Sequence, residues 1–277
     1  MPADRRLAVL GSPISHSKSP LLHRAAYHRL DLAWSYEAVE VDGPGLAPFL
    51  GGLDASWRGL SLTMPLKQDV LPLLDELDRT ARLTGAANTV LLDDDGRRRG
   101  FNTDVGGLVR ALREAGCARV ERVAIIGAGA TAASALVAVG ELGASTVDVF
   151  ARTPGRAAPL VELGAQLGVQ VRPVALDALE QAGGIDLVVS TVPGGTTLPH
   201  EASTALREEA TLFDVAYDPW PSRLAASWLA AGGHAAGGLG MLLHQALLQV
   251  RVFVGGDAAT PLRDEDDVLA AMRASLR

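Results

Sequence analysis

Short apolar runs recur along the chain, with helical patterns and polar turns between them. The runs Leu7–Leu10, Ser35–Val41, Gly59–Thr63 and Thr89–Leu92 predict strands in the first part of the chain. Arg122–Ile126, Thr146–Phe150, Leu187–Ser190 and Thr211–Val215 predict strands in the second. Helices are predicted over Ser19–Leu30, Val70–Leu77 and Ala130–Leu142, and a further one over Thr103–Gly116 would link the two parts. Strand–helix alternation of this kind argues for parallel α/β sheets. A domain boundary is expected near Asp104–Val105, and neither repeats nor low-complexity linkers interrupt the pattern.

Composition narrows the function. The 277 residues are 48% hydrophobic and 21% charged, enough apolar material for two cores. The net charge of −7 is a poor match for a nucleic-acid binder, which needs basic surface against phosphate. The single cysteine, Cys117, cannot form an intramolecular disulfide, and no Cys/His spacing suits a metal, so no metal is expected. Gly11 and Pro13 break the first apolar run too early for a secretory leader. No apolar run approaches a membrane span, so no membrane partner is expected, and with no targeting signal the expected compartment is the cytoplasm.

The segment from Arg122 carries the clearest local chemistry. An apolar strand runs into Gly127-Ala128-Gly129-Ala130-Thr131-Ala132, and an alanine-rich helix and the strand ending at Phe150 follow. In a βαβ unit the first glycine permits the tight turn, the second lets a pyrophosphate approach the backbone, and a small third residue lets helix pack on strand. A plain tight turn or a site for an adenosyl methyl donor are the other readings. An NAD site expects an acid at the end of the next strand. Asp148 lies before that end, whereas Arg152, Thr153 and Arg156 follow it. Guanidinium and hydroxyl donors suit a 2′-phosphate, so NADP is the expected cofactor.

Polar residues also collect at the ends of the early strands. GSPISHSKSP (residues 11–20) places Ser17, Ser19 and Lys18 between a strand and a helix. SLTMPLK places Thr63 and Lys67 around a proline, GAANT places Asn88 before a strand, and FNTD places Asp104 before the linking helix. Each has an ordinary explanation: a surface lysine, a turn asparagine, a helix cap, a half-buried threonine. His16 reads as a turn histidine.

Taken in order, GSPISHSKSPLLH, SLTMPLK, GAANT, FNTD, GAGATA, ARTPGRA and GLGMLLHQA resemble the shikimate dehydrogenase family, from about Gly11 to about Gln249. The resemblance implies an α/β protein of two domains with the active-site cleft between them. Residues 1–104 would form the substrate domain and 105–238 a Rossmann-type NADP-binding domain. Residues 239–277 would form a helical segment returning to the first domain. The implied reaction is the NADP-dependent interconversion of 3-dehydroshikimate and shikimate in aromatic (chorismate) biosynthesis, by a monomer or homodimer. Lys67 and Asp104 would be catalytic. Ser17, Ser19 and Tyr217 would bind the substrate carboxylate, and Thr63, Asn88 and Gln245 its ring hydroxyls. On the cofactor side the resemblance implicates Gly127, Ala128, Gly129, Ala130 and Thr131, then Arg152, Thr153 and Arg156. Thr191, Val215 and Gly238 would approach the nicotinamide half.

Three positions depart from the family pattern. Ala151 stands where Asn is frequent before Arg-Thr, Ser61 where Asn is frequent before the lysine motif, and Ala130 where Gly is common. The first bears on NADP selectivity. A quinate/shikimate dehydrogenase using NAD is the near alternative. A non-catalytic dinucleotide-binding regulator is the distant one, and it need not keep Lys67, Asp104 and the serines together.

Overall fold

A computed structural model describes residues 4–277. The chain divides into two compact units: the chain up to Gly107 together with Leu242–Arg277, and Leu108–Met241.

The first unit is built on strands β1 (Arg6–Gly11), β2 (Ser35–Glu40), β3 (Trp57–Leu62), β4 (Glu76–Leu77), β5 (Thr89–Leu92) and β6 (Arg98–Phe101). Its sheet has the order β2-β1-β3-β5-β6-β4. Alternation along β1 explains why both faces are covered. Leu7 and Val9 enter a core with Tyr27, Tyr36 and Phe253, whereas Ala8 and Leu10 enter another with Leu46, Leu60 and Leu66. Fully burying each such leucine contributes about 1.5–3 kcal/mol. Helix α1 (Ser19–Arg29) covers the first face. On the opposite face lie α2 (Gly43–Gly51), α3 (Leu66–Asp69) and α4 (Arg79–Thr84).

Helix α5 (Asp104–Glu114) leads out of this unit. The second unit carries β7 (Arg122–Ile126), α6 (Ala130–Glu141), β8 (Thr146–Ala151), α7 (Ala158–Leu167), β9 (Gln170–Ala175) and β10 (Leu187–Ser190). These are followed by α8 (Thr204–Glu209), β11 (Thr211–Asp214), α9 (Arg223–Ala230) and β12 (Ala235–Gly237). The strand order β12-β11-β10-β7-β8-β9, parallel throughout, is the doubly wound arrangement whose direction of winding reverses between β7 and β10. Helix α10 (Leu239–Gly255) begins in the second unit and ends in the first, and α11 (Glu265–Ala274) adds Val268 and Met272 to the core that holds Tyr27. Among the described residues no helix is long and apolar enough to cross a membrane.

Two features of the first unit differ from the sequence reading. Its sheet is mixed: β5 runs antiparallel to both β3 and β6. The residues Val70–Leu77, expected as a helix, form instead a single 3-10 turn at Leu71–Leu73 followed by β4. Pro72 has no N–H to continue a helical ladder, and the segment pairs with β6 instead.

Candidate active site

Lys67 stands on the short helix after β3, and its Nζ donates to Asp104 Oδ2 at 2.6 Å. The side chains are only 14% and 5% exposed, so water screens this pair weakly. Asp104 opens α5, and its backbone N–H donates to Asn102 Oδ1 at 3.0 Å, so that donor at the helix start is satisfied without the Asp104 side chain. The Asp104 carboxylate is thereby left to side-chain chemistry. Its Oδ1 accepts from Asn88 Nδ2 at 2.9 Å, and the same nitrogen donates to Thr103 Oγ1 at 2.9 Å and to Gln245 Oε1 at 3.3 Å. Residues from separate stretches of sequence thus form one hydrogen-bonded group. Close packing of the first turn of α5 on α10 helps: a Cβ on Gly107 would lie 2.7 Å from the Gln245 Cβ and 2.9 Å from its backbone N.

Thr63 follows β3 immediately, and its N–H donates to Leu10 O at 2.9 Å, which sets it beside the end of β1. Gly11 must be glycine there, because a Cβ would collide with the Thr63 methyl. The serine loop leaves the same end of β1. Helix α1 starts at Ser19, the residue where the sequence predicted it, with Lys18 as its cap residue. The Ser19 N–H donates to Ser17 Oγ at 3.3 Å, and Ser19 is buried whereas Ser17 and Lys18 are half-buried. His16 is exposed in the turn.

Behind Asn88 lies a second polar layer that sequence reasoning did not find. Gln249 Oε1 accepts from Ser61 Oγ at 2.8 Å, and Ser61 in turn accepts from Tyr36 OH at 2.6 Å. His23 Nε2 is 3.1 Å from the same Gln249 oxygen and its Nδ1 is 3.2 Å from Tyr27 OH. The His23 ring stacks on Tyr36 with centroids 4.0 Å apart. Burial lowers the His23 pKa to about 3, against a smaller opposing effect of the Gln249 bond, so the imidazole is neutral. Burial likewise raises the Tyr36 phenol. Ser61, the position of the second departure, spends its hydroxyl within this layer. The available signal was Gln249 itself, one helical turn past Gln245 and so on the same side of α10.

In the second unit the glycine turn joins β7 to α6. Gly127 has φ +114°, and a Cβ on it would collide with the Thr191 hydroxyl, which donates to Ile126 O at 2.9 Å. Thr191 follows β10, so this contact sits where the winding reverses. Gly129 precedes the first turn of α6 without any side-chain cap, and a Cβ there would meet nothing within 4 Å. The unpaired amides of a helix start facing open space suit a pyrophosphate. Asp148 is held by Arg172 on the neighbouring strand at 2.6 and 2.8 Å, directly opposite in register. It is therefore engaged in the sheet, while Arg152, Thr153 and Arg156 follow β8 at the surface. Ala151 is buried and has no polar side chain. These residues fit a phosphorylated dinucleotide.

Gly238 packs so tightly against the Val215 backbone that any side chain would collide with Val215 O, and its N–H donates to Ala216 O at 3.1 Å. Tyr217 follows in the same loop, half-buried, and desolvation, with a smaller contribution from Asp218, raises its phenol above the ordinary value. It is a hydrogen-bond donor at neutral pH. Among the described residues no cluster of His, Cys, Asp or Glu is placed to hold a metal ion.

A doubly wound sheet with this turn, and a lysine–carboxylate pair in a second α/β unit, define a nicotinamide-dependent oxidoreductase. The family model for the shikimate dehydrogenase substrate binding domain matches residues 9–90. The shikimate dehydrogenase (NADP(+)) of Rubrobacter xylanophilus is 38% identical over 259 residues, which cover 91% of each chain. The crystal structure of Mycobacterium tuberculosis shikimate dehydrogenase is 38% identical with a TM-score of 0.82, covering 98% of this chain and 99% of that one. The Thermus thermophilus shikimate 5-dehydrogenase, solved in complex with NADP(H) and shikimate, is 32% identical with a TM-score of 0.80, covering 98% and 99%. The chain belongs to the shikimate dehydrogenase family.

Proposed function

We propose that this chain interconverts 3-dehydroshikimate and shikimate with NADP, using Lys67 and Asp104 as the catalytic pair. The observation that carries this reading is the 2.6 Å Lys67–Asp104 bond whose carboxylate is held from its other oxygen by Asn88. The residues after β7 and β8 would hold the cofactor, which as NADPH would supply the hydride for reduction and as NADP+ would accept it in the reverse direction. The Lys67 ammonium polarises the ketone oxygen and donates the proton that the new alkoxide needs. In the oxidative direction the pair removes the alcohol proton. Asp104 keeps the lysine aimed, and Asn88 keeps Asp104 aimed.

The first unit is assigned to the substrate. Ser17 and Ser19, joined by Tyr217, would bind its carboxylate with neutral donors, while Thr63, Asn88 and Gln245 would bind ring hydroxyls. The second unit is assigned to the cofactor. Backbone amides from Gly127 to Thr131 would hold the pyrophosphate, and Arg152, Thr153 and Arg156 the 2′-phosphate. Thr191, Val215 and Gly238 would face the nicotinamide half. We place the enzyme in the cytoplasm as a monomer or homodimer. Ala151 gives the NAD-using quinate/shikimate reading its one support, since it removes a possible donor to the 2′-phosphate. Steady-state rates with shikimate and quinate, each with NADP+ and NAD+, test both. Shikimate with NADP+ is expected to be fastest; equal turnover of quinate with NAD+ would establish the alternative. Tight NADPH binding without turnover would point to a regulator.

A further inference from the structure

The hydrogen bonds behind Asn88 have a direction, and it can be followed without ambiguity. The Asn88 backbone carbonyl only accepts, so the Gln249 group 3.0 Å from it must be the NH2 end. The Gln249 oxygen then faces Ser61 and His23 Nε2, which fixes the neutral His23 with its proton on Nε2 and Nδ1 accepting from Tyr27 OH. The second Gln249 N–H donates to Thr89 Oγ1 at 3.0 Å. Having accepted there, the Thr89 hydroxyl turns its own proton to Asn88 Oδ1 at 2.9 Å. The backbone N–H of Thr103 donates to that same oxygen at 2.9 Å. Asn88 therefore presents Nδ2 to Asp104, and Asp104 presents its other oxygen to Lys67.

We propose that Gln249 is a positioning residue for the reaction: it clamps Asn88 by its backbone carbonyl and, through Thr89, by its side-chain oxygen, and so sets the direction of the Asp104 carboxylate that carries Lys67. The proposal rests on the reading of Lys67 and Asp104 as the catalytic pair. Gln249 is 2% exposed and lies behind Asn88, so it acts through other residues and does not touch substrate. An amide suits this post because one end must accept twice and the other donate twice. It also ends any chain of proton transfer, so the layer transmits orientation and carries no proton. Removing the amide would orphan the Thr89 hydroxyl, which could then turn away from Asn88, and would release one of two donors on the Asn88 carbonyl, the other being Leu62 N–H at 2.8 Å.

The test is a set of purified full-length variants assayed for kcat and for KM of NADP+. Gln249→Met keeps the volume and removes all four bonds. It is expected to lower kcat about tenfold, with KM for NADP+ within about twofold of native. In an Asn88→Ala background the same change is expected to cost almost nothing further in kcat, because the clamp has nothing left to aim. Thr89→Val removes only the relaying hydroxyl and is expected to lower kcat about fivefold, whereas Thr89→Ser restores the hydroxyl and native kcat. A folded Gln249→Met with native kcat overturns the proposal, as does an undiminished loss in the Asn88→Ala background. If Gln249→Met does not fold, the threonine pair decides, and equal kcat for Thr89→Val and Thr89→Ser overturns it. Lys67→Ala, assayed in parallel, separates the two levels: near-native kcat there removes the catalytic reading itself, while a dead Lys67→Ala beside an unaffected Gln249→Met removes only the clamp.

Discussion

The two halves of the chemistry are built in opposite ways. In the first unit the proposed site is made of side chains, largely buried and tied to one another: Lys67, Asp104, Asn88 and Gln245 in front, Gln249, Ser61, His23 and Tyr36 behind. In the second unit the proposed site is mainly backbone. A left-handed glycine and the bare start of a helix form the turn, and the charged side chains beside it are at the surface. A buried network is sensitive to any member lost, because the partner left behind is unpaired away from water. An open turn tolerates side-chain change and fails when the backbone is displaced.

The largest effect expected from this contrast is at Lys67. Lys67→Ala should lower kcat about a thousandfold while the Kd for shikimate changes little, measured by single-turnover kinetics and by titration. A kcat near native would remove the lysine from the chemistry. In the second unit the equivalent break is in the backbone. Gly127→Val forces a β-branched residue to φ +114° and drives it into the Thr191 hydroxyl. NADP+ binding should weaken about a hundredfold, read as Kd by fluorescence titration, while shikimate binding to the first unit persists. Equal loss of both ligands would show that the damage is general unfolding.

How much of this was legible depends on which kind of construction carried it. The glycine turn could be read because a βαβ unit needs its glycines at fixed spacing for backbone reasons. Lys67, Asn88 and Asp104 were visible as polar residues at strand ends, and the family resemblance gave them roles. That Asn88 ties Asp104 to Gln245 was not legible, because Asp104, Asn88 and Gln245 meet only once β5 and α10 are placed. Gln249, Ser61 and His23 each look like ordinary polar positions, and only burial makes them a layer. Strand β6 was missed because two arginines, Arg98 and Arg99, interrupt its apolar pattern, and β9 because Pro173 sits in it, which an edge strand tolerates. The helix expected over Val70–Leu77 ignored Pro72.

The buried layer should also respond to pH. His23 titrates near 6.5 in the unfolded chain and near 3 in the folded one. Between those values the unfolded chain binds a proton that the folded chain refuses. Stability is therefore complete above pH 6.5 and falls as the pH drops toward about 3. By pH 5 the loss from this residue is about 2 kcal/mol. Urea unfolding at about pH 7.5 and about pH 5 should show it in the native chain, with a correspondingly smaller difference in His23→Gln. An unchanged difference would mean that other groups set the acid limit. The arginines after β8 carry a smaller consequence. The double change Arg152→Ala/Arg156→Ala should lower the ratio of kcat/KM with NADP+ to that with NAD+ about twentyfold, leaving kcat with NAD+ intact. An unchanged ratio would move 2′-phosphate recognition elsewhere in the second unit.

The serine loop lies between these extremes, and its contrast is the smallest. Ser17 accepts from the Ser19 N–H, so its own proton remains to be given to an anion. Ser19 opens α1 and is buried, and Lys18 between them is the cap residue of the same helix. A permanent charge at Lys18 is the obvious partner for a carboxylate. Yet the two serines are the pair tied together, the Ser19 N–H donating to Ser17 Oγ at 3.3 Å, and the family resemblance assigns the carboxylate to them. Ser17→Ala/Ser19→Ala should therefore raise the KM for shikimate about tenfold, with kcat and the KM for NADP+ near native. Lys18→Ala should change the same KM less than about twofold, and that small number should shrink further in high salt if it is only long-range attraction. The reverse order, a large effect of the lysine and none of the serines, would mean that the carboxylate is held by charge, and the first unit would then resemble the second in how it grips an anion.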